Sequence, residues 1–299
     1  MSIGRVTQSM MSRSALTGLQ ASLRRVSDLQ EQLSTGRVIN RPSDDPIGSA
    51  SAMRLRSSKA QQAQYARNAD DGLAWLNQLD GALGSGGDQL RRARDLAVQG
   101  ANSGALGQPA RDALAVEVDQ IRQGLVSVAN TTYLNRPVFA GVAPGTTAYD
   151  DSTQPLTWGG KTGDVVRRVG VGVDIPVNVN GPEAFGADGD SVFDHLDALS
   201  TALKSNDTAA ISQAIDTLNS DGDRINSARA DVGTRTNRIE LAKSRAEDAG
   251  LTLSSSISEV ENTDLAKATV DLQLQEVAYQ AALAATSRVV QPSLLDFLK

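Results

Sequence analysis

His195 is the only histidine in this chain of 299 residues, and any search for chemistry starts there. A nucleophilic triad needs such a base beside a hydroxyl and a carboxylate. The stretch Phe193, Asp194, His195, Leu196, Asp197 reads instead as the first turns of a helix, with His195 exposed on it. GGKTGD at 159–164 ends like a phosphate loop. That motif requires a glycine five residues before Gly160, where Pro155 stands, and a helix directly afterwards, where a strand pattern follows. Backbone N–H groups are then not aimed at a phosphate. DGD at 188–190 and DD at 150–151 could offer oxygens to a hard cation, but neither continues into the spacing of a calcium loop, and turn and cap roles suit them. Asp44 and Asp45 of SDD, between Pro42 and Pro46, read as a helix-start device. With no cysteine, thiol catalysis, thiolate metal sites and disulfides are excluded. The residues compose no catalytic, cofactor-binding or metal-binding set, and the expectation is a protein that is not an enzyme.

The elements around these residues say more. The chain ends in AYQAALAATSRVVQPSLLDFLK, an apolar helical stripe followed, past one proline, by Leu294, Leu295, Phe297 and Leu298. Termini are ordinarily polar and loosely tied down, so an apolar one expects a cover. From Leu16 the apolar positions fall at Leu16, Leu19, Leu23, Val26 and Leu33, with Gln30 in the missing slot of a 3,4 alternation. That is a coiled-coil seam, stopped at Gly36. Asp45 followed by Pro46 then caps a second long helix through Leu55, Tyr65, Leu73, Leu76, Leu79 and Leu83. GSGG at 84–87 is expected to break or bend it before Leu90 and Leu96, since each glycine costs about 1 kcal/mol relative to alanine. A third helix carries Leu114, Val118, Ile121, Leu125 and Val128.

Residues 142–191 change texture, being rich in Gly, Thr, Asp and Pro. Within them Val169, Val171, Val173, Ile175, Val177 and Val179 alternate as one face of an extended strand, with Pro176 marking an edge or a bulge. Helix returns after an Asp190 cap and again after Asn206 or Asp207. A last seam runs through Ile239, Ala242, Ala246, Ala249 and Leu253, then Leu265, Ala268, Leu272, Tyr279 and Ala282, capped afresh near Thr263. The predicted fold class is mainly α: a long antiparallel helical bundle or coiled coil built from both chain ends, with a small β-rich insertion. The expected division is 1–40 plus 262–299 as terminal helices, 41–141 plus 192–261 as a bundle, and 142–191 as the insertion. One narrow stripe buries too little apolar surface to order about thirty residues alone, so the terminal helices are expected to become ordered only among neighbouring subunits.

Charge and composition narrow the partners. Residues 1–67 carry a net +6 and the remainder a net −12. The arginines of the basic arm are dispersed and only Tyr65 lies near them, which leaves no stacking platform for nucleic acid. No run of about 18 apolar residues offers a bilayer span, and the N-terminus is too broken by Ser, Arg and Gln to supply a signal-peptide core.

LSTGRVINRPSDDPIGSA at 33–50 and DLQLQEVAYQAALAATSRVVQPSLLDFL at 271–298, together with the N-terminal leucine seam, resemble the bacterial flagellin family. Within it, YLNRPVFAG at 133–141, the RPSDDP form and the SLLDFL ending are similar to the members that join hook to filament, where flagellins usually place an asparagine–glycine turn before paired leucines. Family members often begin Met-Arg-Ile, whereas this chain has Met1, Ser2, Ile3. The resemblance implies a structural subunit exported through the flagellar type III channel without a cleaved signal. It implies ordering of the terminal helices in concentric layers, and as partners further copies of itself, the first hook-associated protein, flagellin and a cytoplasmic export chaperone. The implied polymer contacts are Leu16, Leu19, Leu23, Val26, Leu33, Leu265, Leu272, Tyr279, Leu294, Leu295 and Phe297. A flagellin filament subunit is the alternative, and a secreted coiled-coil translocator or adhesin the reading from another class.

Overall fold

The computed structural model describes residues 8–102, 107–150 and 155–290. Seven helices dominate them: α1 (Gln8–Thr35), α2 (Pro46–Ala101), α3 (Gln108–Ala129), α4 (Gly181–Phe185), α5 (Val192–Ser205), α6 (Thr208–Glu261) and α7 (Leu265–Val290). The strands form three separate antiparallel pairs: β1 (Thr132–Tyr133) with β2 (Arg136–Pro137), β3 (Val166–Gly170) with β4 (Val173–Pro176), and β5 (Gly186–Ala187) with β6 (Asp190–Ser191). The chain divides into two compact units, Met1–Ala60 with Gly250–Lys299 and Gln61–Ala249; α2 and α6 contribute residues to both.

Capping chemistry sets most helix starts. Asp45 Oδ1 accepts from the N–H groups of Ile47 and Gly48, both at 3.0 Å, with Pro46 at the first helical position. Asp207 Oδ1 does the same for α6. One expected cap moves by a residue. Ser191 rather than Asp190 starts α5, in a reciprocal box with Asp194, because Asp190 is engaged elsewhere. α7 is capped near Thr263 as expected, by Asp264, whose carboxylate reaches two free N–H groups. α1 ends as expected at Gly36: its N–H still bonds Gln32 O, and its φ of +70° then turns the chain out of the helix.

GSGG neither breaks nor ends α2, which runs unbroken from Pro46 to Ala101. Gly86 faces α3 and α6: a Cβ there would stand 3.5 Å from Leu125 and 3.6 Å from Ile225, at ordinary van der Waals contact. α2 and α6 are antiparallel in the larger unit, as the Asp80–Arg229 and Asp70–Lys243 ion pairs require. Trp75, Leu76, Leu79, Leu83, Leu125, Leu196, Ile225 and Ile239 fill the bundle core. Segment 142–191 shares that core. Phe139 and Phe185 meet edge to face at 4.9 Å, and Tyr149 packs on Phe193 at 5.1 Å, tying loop, α4 and α5 together.

The expected single strand through Val169 to Val179 is a hairpin. Gly172, at φ +68°, turns the chain between β3 and β4, and Gly170 faces Val173. The turn leaves Val171 in solvent while Val169, Ile175, Val177 and Val179 stay buried. Pro176 ends β4 opposite Val166 in this two-stranded ladder, which has a register shift between Arg168 and Gly170.

Candidate assembly surface

In the terminal unit α1 and α7 pair antiparallel. Thr263 N–H donates to Gly36 O at 2.9 Å, and Gln275 Nε2 donates to Ser22 Oγ at 2.7 Å, so sequence distance from the joint grows in step along both helices. The rows that face inward are Ala15, Leu19, Ser22, Val26, Leu29 and Leu33 on α1, and Ala268, Leu272, Gln275, Tyr279, Ala282 and Thr286 on α7. Both follow the 4,3,4,3,4 spacing of a coiled-coil seam. Extending the Ser22–Gln275 register brings Val26 level with Leu272 and Leu19 level with Tyr279.

The sequence-predicted contacts therefore separate into two sets. Leu19, Val26, Leu33, Leu272 and Tyr279 lie in the inward rows, Val26 buried and the others half-buried. Leu16, Leu23 and Leu265 face solvent and are about half exposed. Leu294, Leu295 and Phe297 lie outside the described residues. Periodicity missed a row of α7: Val270, Leu274 and Val277 are 64%, 70% and 64% exposed, with Leu283 beyond them. The available signal was that α7 is apolar around most of its circumference, a pattern otherwise met in helices covered on every side. One partner helix spans nearly the length of α1, 26 residues against 28, but covers only one of its sides.

The joint holding this pair is polar and braced. Asp44 Oδ2 accepts from the N–H groups of Arg41 and Asn40, at 2.7 and 3.1 Å; the Arg41 N–H bond foremost holds its carboxyl below the usual carboxylate range. Arg41 reaches back to both Glu31 oxygens at 3.1 Å. Val38 N–H donates to Glu261 O, and Arg56 Nη2 lies 2.6 Å from the Glu261 carboxylate, which is itself almost wholly buried.

His195 is not the exposed helix residue its sequence setting suggests. Its Nδ1 is 2.7 Å from Asp221 Oδ2 and its Nε2 is 3.0 Å from Asp190 Oδ1; the Asp221 side chain is 2% exposed and also holds Arg224 at 3.0 Å. Burial lowers the imidazole pKa, but the hydrogen bonds and charges of Asp221 and Asp190 outweigh it, and the net shift is upward. Both ring nitrogens are thus taken up by carboxylates, and the nearby Ser191 Oγ is bonded to Asp194 and not to the ring. The GGKTGD stretch leads into β3, with Lys161 bridged to Gly141. Among the described residues no three His, Cys, Asp or Glu side chains form a metal-holding group, and no helix is long and apolar enough to cross a membrane.

Family models for the bacterial flagellin N-terminal and C-terminal helical regions match residues 6–143 and 209–298, the segments that supply α1 to α3 and α6 with α7. The chain belongs to the bacterial flagellin family. Flagellin-family members are structural components of the flagellum, and this one has relatives among two kinds of flagellar protein. It is 26% identical to flagellar hook-associated protein 3 of Salmonella typhimurium over 93% of this chain and 94% of that protein. It is 28% identical to the flagellar filament 31.3 kDa core protein of Treponema maltophilum over 90% and 91%. Its fold is similar to that of the flagellar junction protein FlgL from Legionella pneumophila, with a TM-score of 0.59 at 17% identity, covering 71% of this chain and all of that one.

Proposed function

We propose that this flagellin-family chain is the subunit that joins the flagellar hook, through the first hook-associated protein, to the flagellin filament. The observation that carries the reading is the outward row of α7: Val270, Leu274 and Val277 form an apolar surface beside an already paired seam, left uncovered by the described residues and suited to another molecule. Leu16, Leu23 and Leu265, each about half exposed, are further apolar positions assigned to neighbouring molecules, and so are Leu294, Leu295 and Phe297. Leu19, Val26, Leu33, Leu272 and Tyr279 contribute by holding α1 on α7. Residues 1–40 and 262–299 form the axial layer and gain full order when sister molecules surround them.

The chain leaves the cell through the flagellar export channel, a route suited to a cysteine-free polypeptide that travels unfolded. Before export, a cytoplasmic chaperone covers the C-terminal stripe in a groove. The stretch YLNRPVFAG supports the junction over the filament, and hook-associated protein 3 of Salmonella typhimurium is similar along almost its whole length. In that stretch Leu134 and Asn135 make the turn between β1 and β2 at φ +47° and +61°, and Val138 and Phe139 are fully buried.

Deleting the gene tests the proposal: intact hooks with unattached flagellin in the medium are expected, and filaments of ordinary length on the hooks overturn it. The second reading, a filament subunit, is favoured by the comparable identity to the Treponema filament core protein. Purified chain seeded on its own fragments distinguishes the two, since a filament subunit grows long polymers and a junction subunit stops after a short layer.

A further inference from the structure

A cleft in the larger unit lies between α6 and the β3–β4 hairpin. It encloses about 320 Å³ over an apolar floor that includes Val169, Val173 and Ile175. Its α6 wall presents Arg238, Leu241, Ala242 and Arg245, one face of the helix by their spacing. Leu241 is 56% exposed. Lys243, on a neighbouring face, is held by Asp70 at 2.6 Å, whereas Arg238 and Arg245 carry no ion pair among the described residues. Two cations seven residues apart, about 10 Å along the axis, thus flank an apolar opening.

The same chain carries the complement. On α3, Asp112 and Asp119 are also seven residues apart, and Val116 between them lies on the same helix face and is 53% exposed. Asp119 is 3.0 Å from Lys204 Nζ, and Asp112 accepts from Gln108 Nε2 at 2.8 Å, which leaves acceptor capacity on each carboxylate. A helix ridge reading acid, apolar, acid matches a cleft rim reading cation, apolar, cation, in either chain direction.

We propose that the α3 ridge Asp112–Val116–Asp119 of one copy docks in the α6 cleft of the next, with Val116 over Leu241 and the aspartates on Arg238 and Arg245. Because the two surfaces differ, the contact is head-to-tail and propagates from copy to copy around a layer. The inference rests on the assembly reading above and supplies that reading with a contact outside the terminal helices.

A chain without cysteine makes the test specific. Full-length protein carrying Leu241→Cys with Val116→Cys replaces the natural chain in cells, and isolated flagella are oxidised. A ladder of disulfide-linked multiples is expected, reversed by reductant and absent from either single variant. Monomers only from flagella that contain the chain overturn the docking, as do equal cross-linking by a single variant or a disulfide to a different protein. Absence of the chain from the flagella instead sinks the assembly reading and the docking with it. Independently, Arg238→Glu with Arg245→Glu, or Asp112→Lys with Asp119→Lys, lowers incorporation by about tenfold or more, and the four together restore it. A combined variant no better than its halves overturns the pairing.

Discussion

Gln275 Nε2 donates a hydrogen bond to Ser22 Oγ across 253 positions of sequence, in the middle of an otherwise mostly apolar seam. A polar pair at such a position fixes the register of two helices, because sliding either one separates donor from acceptor. Gln275→Leu leaves the Ser22 hydroxyl buried without its partner and is expected to cost about 1 kcal/mol. Adding Ser22→Ala recovers most of that loss while relaxing the register. A double-mutant cycle on melting of the full-length chain checks this, and strictly additive effects count against it.

His195 gives the larger unit a pH-dependent clamp. Its pKa is raised in the folded state by Asp221 and Asp190, against the effect of burial, so folding favours the protonated ring. Burial pushes the Asp221 carboxyl up, with His195 and Arg224 acting the other way, and Asp194 lies on the same helix as the ring. The His195 contribution is fully present below its ordinary pKa of about 6.5 and is lost as pH rises through the raised value. The melting-temperature gap between the natural chain and His195→Ala should be widest near pH 5 to 6 and narrow toward pH 9. A gap that widens with rising pH contradicts the assignment.

Local signals carried much of the architecture. Asp45 with Pro46, Gly36 and the leucine runs fix where helices start, stop and turn a face inward. The seam holds at Leu19, Val26 and Leu33 but is one residue off at the positions between them, because two adjacent rows of α1 both read as apolar. Leu16 and Leu23 continue the alternation through Leu19, Val26 and Leu33, whereas the inward row contains Ser22, whose partner is 253 residues away. The hairpin at Gly172 was hidden because Gly170 and Gly172 alternate with valines, so the period of two persists through the turn. The His195 clamp depends on Asp221, 26 residues distant, which no local pattern connects to it.

The glycines of the long helices fall into separate classes. A Cβ at Gly81 or Gly222 would meet open space, and both lie within continuous helix. Alanine at either is expected to stabilise the chain by about 0.5–1 kcal/mol through helix propensity. Gly141 differs: its φ is +62°, and a Cβ would stand 2.1 Å from the Lys161 carbonyl oxygen. Gly141→Ala should cost about 3 kcal/mol or more, since backbone and not a flexible side chain must move. Denaturant midpoints of the three variants test the order, and a neutral Gly141→Ala refutes the strained position.

Val26 and Leu23 are three residues apart on α1, yet one is 9% exposed and the other 49%. If the inward row holds α1 on α7 and the outward row awaits another molecule, the two residues respond to substitution in different assays. Val26→Ala removes buried apolar volume and should weaken the pair by about 1–2 kcal/mol, seen as faster hydrogen exchange of α1 amides in dilute full-length chain. Leu23→Ser should change that exchange by less than about 0.5 kcal/mol, because its side chain is half in water and lies outside the inward row. In cells Leu23→Ser should sharply reduce the amount of chain recovered in isolated flagella. Were Leu23→Ser to loosen the isolated chain as much as Val26→Ala, the row it belongs to would already be covered within one molecule. Leu23 would then hold the pair together within one chain and would be no part of an assembly surface.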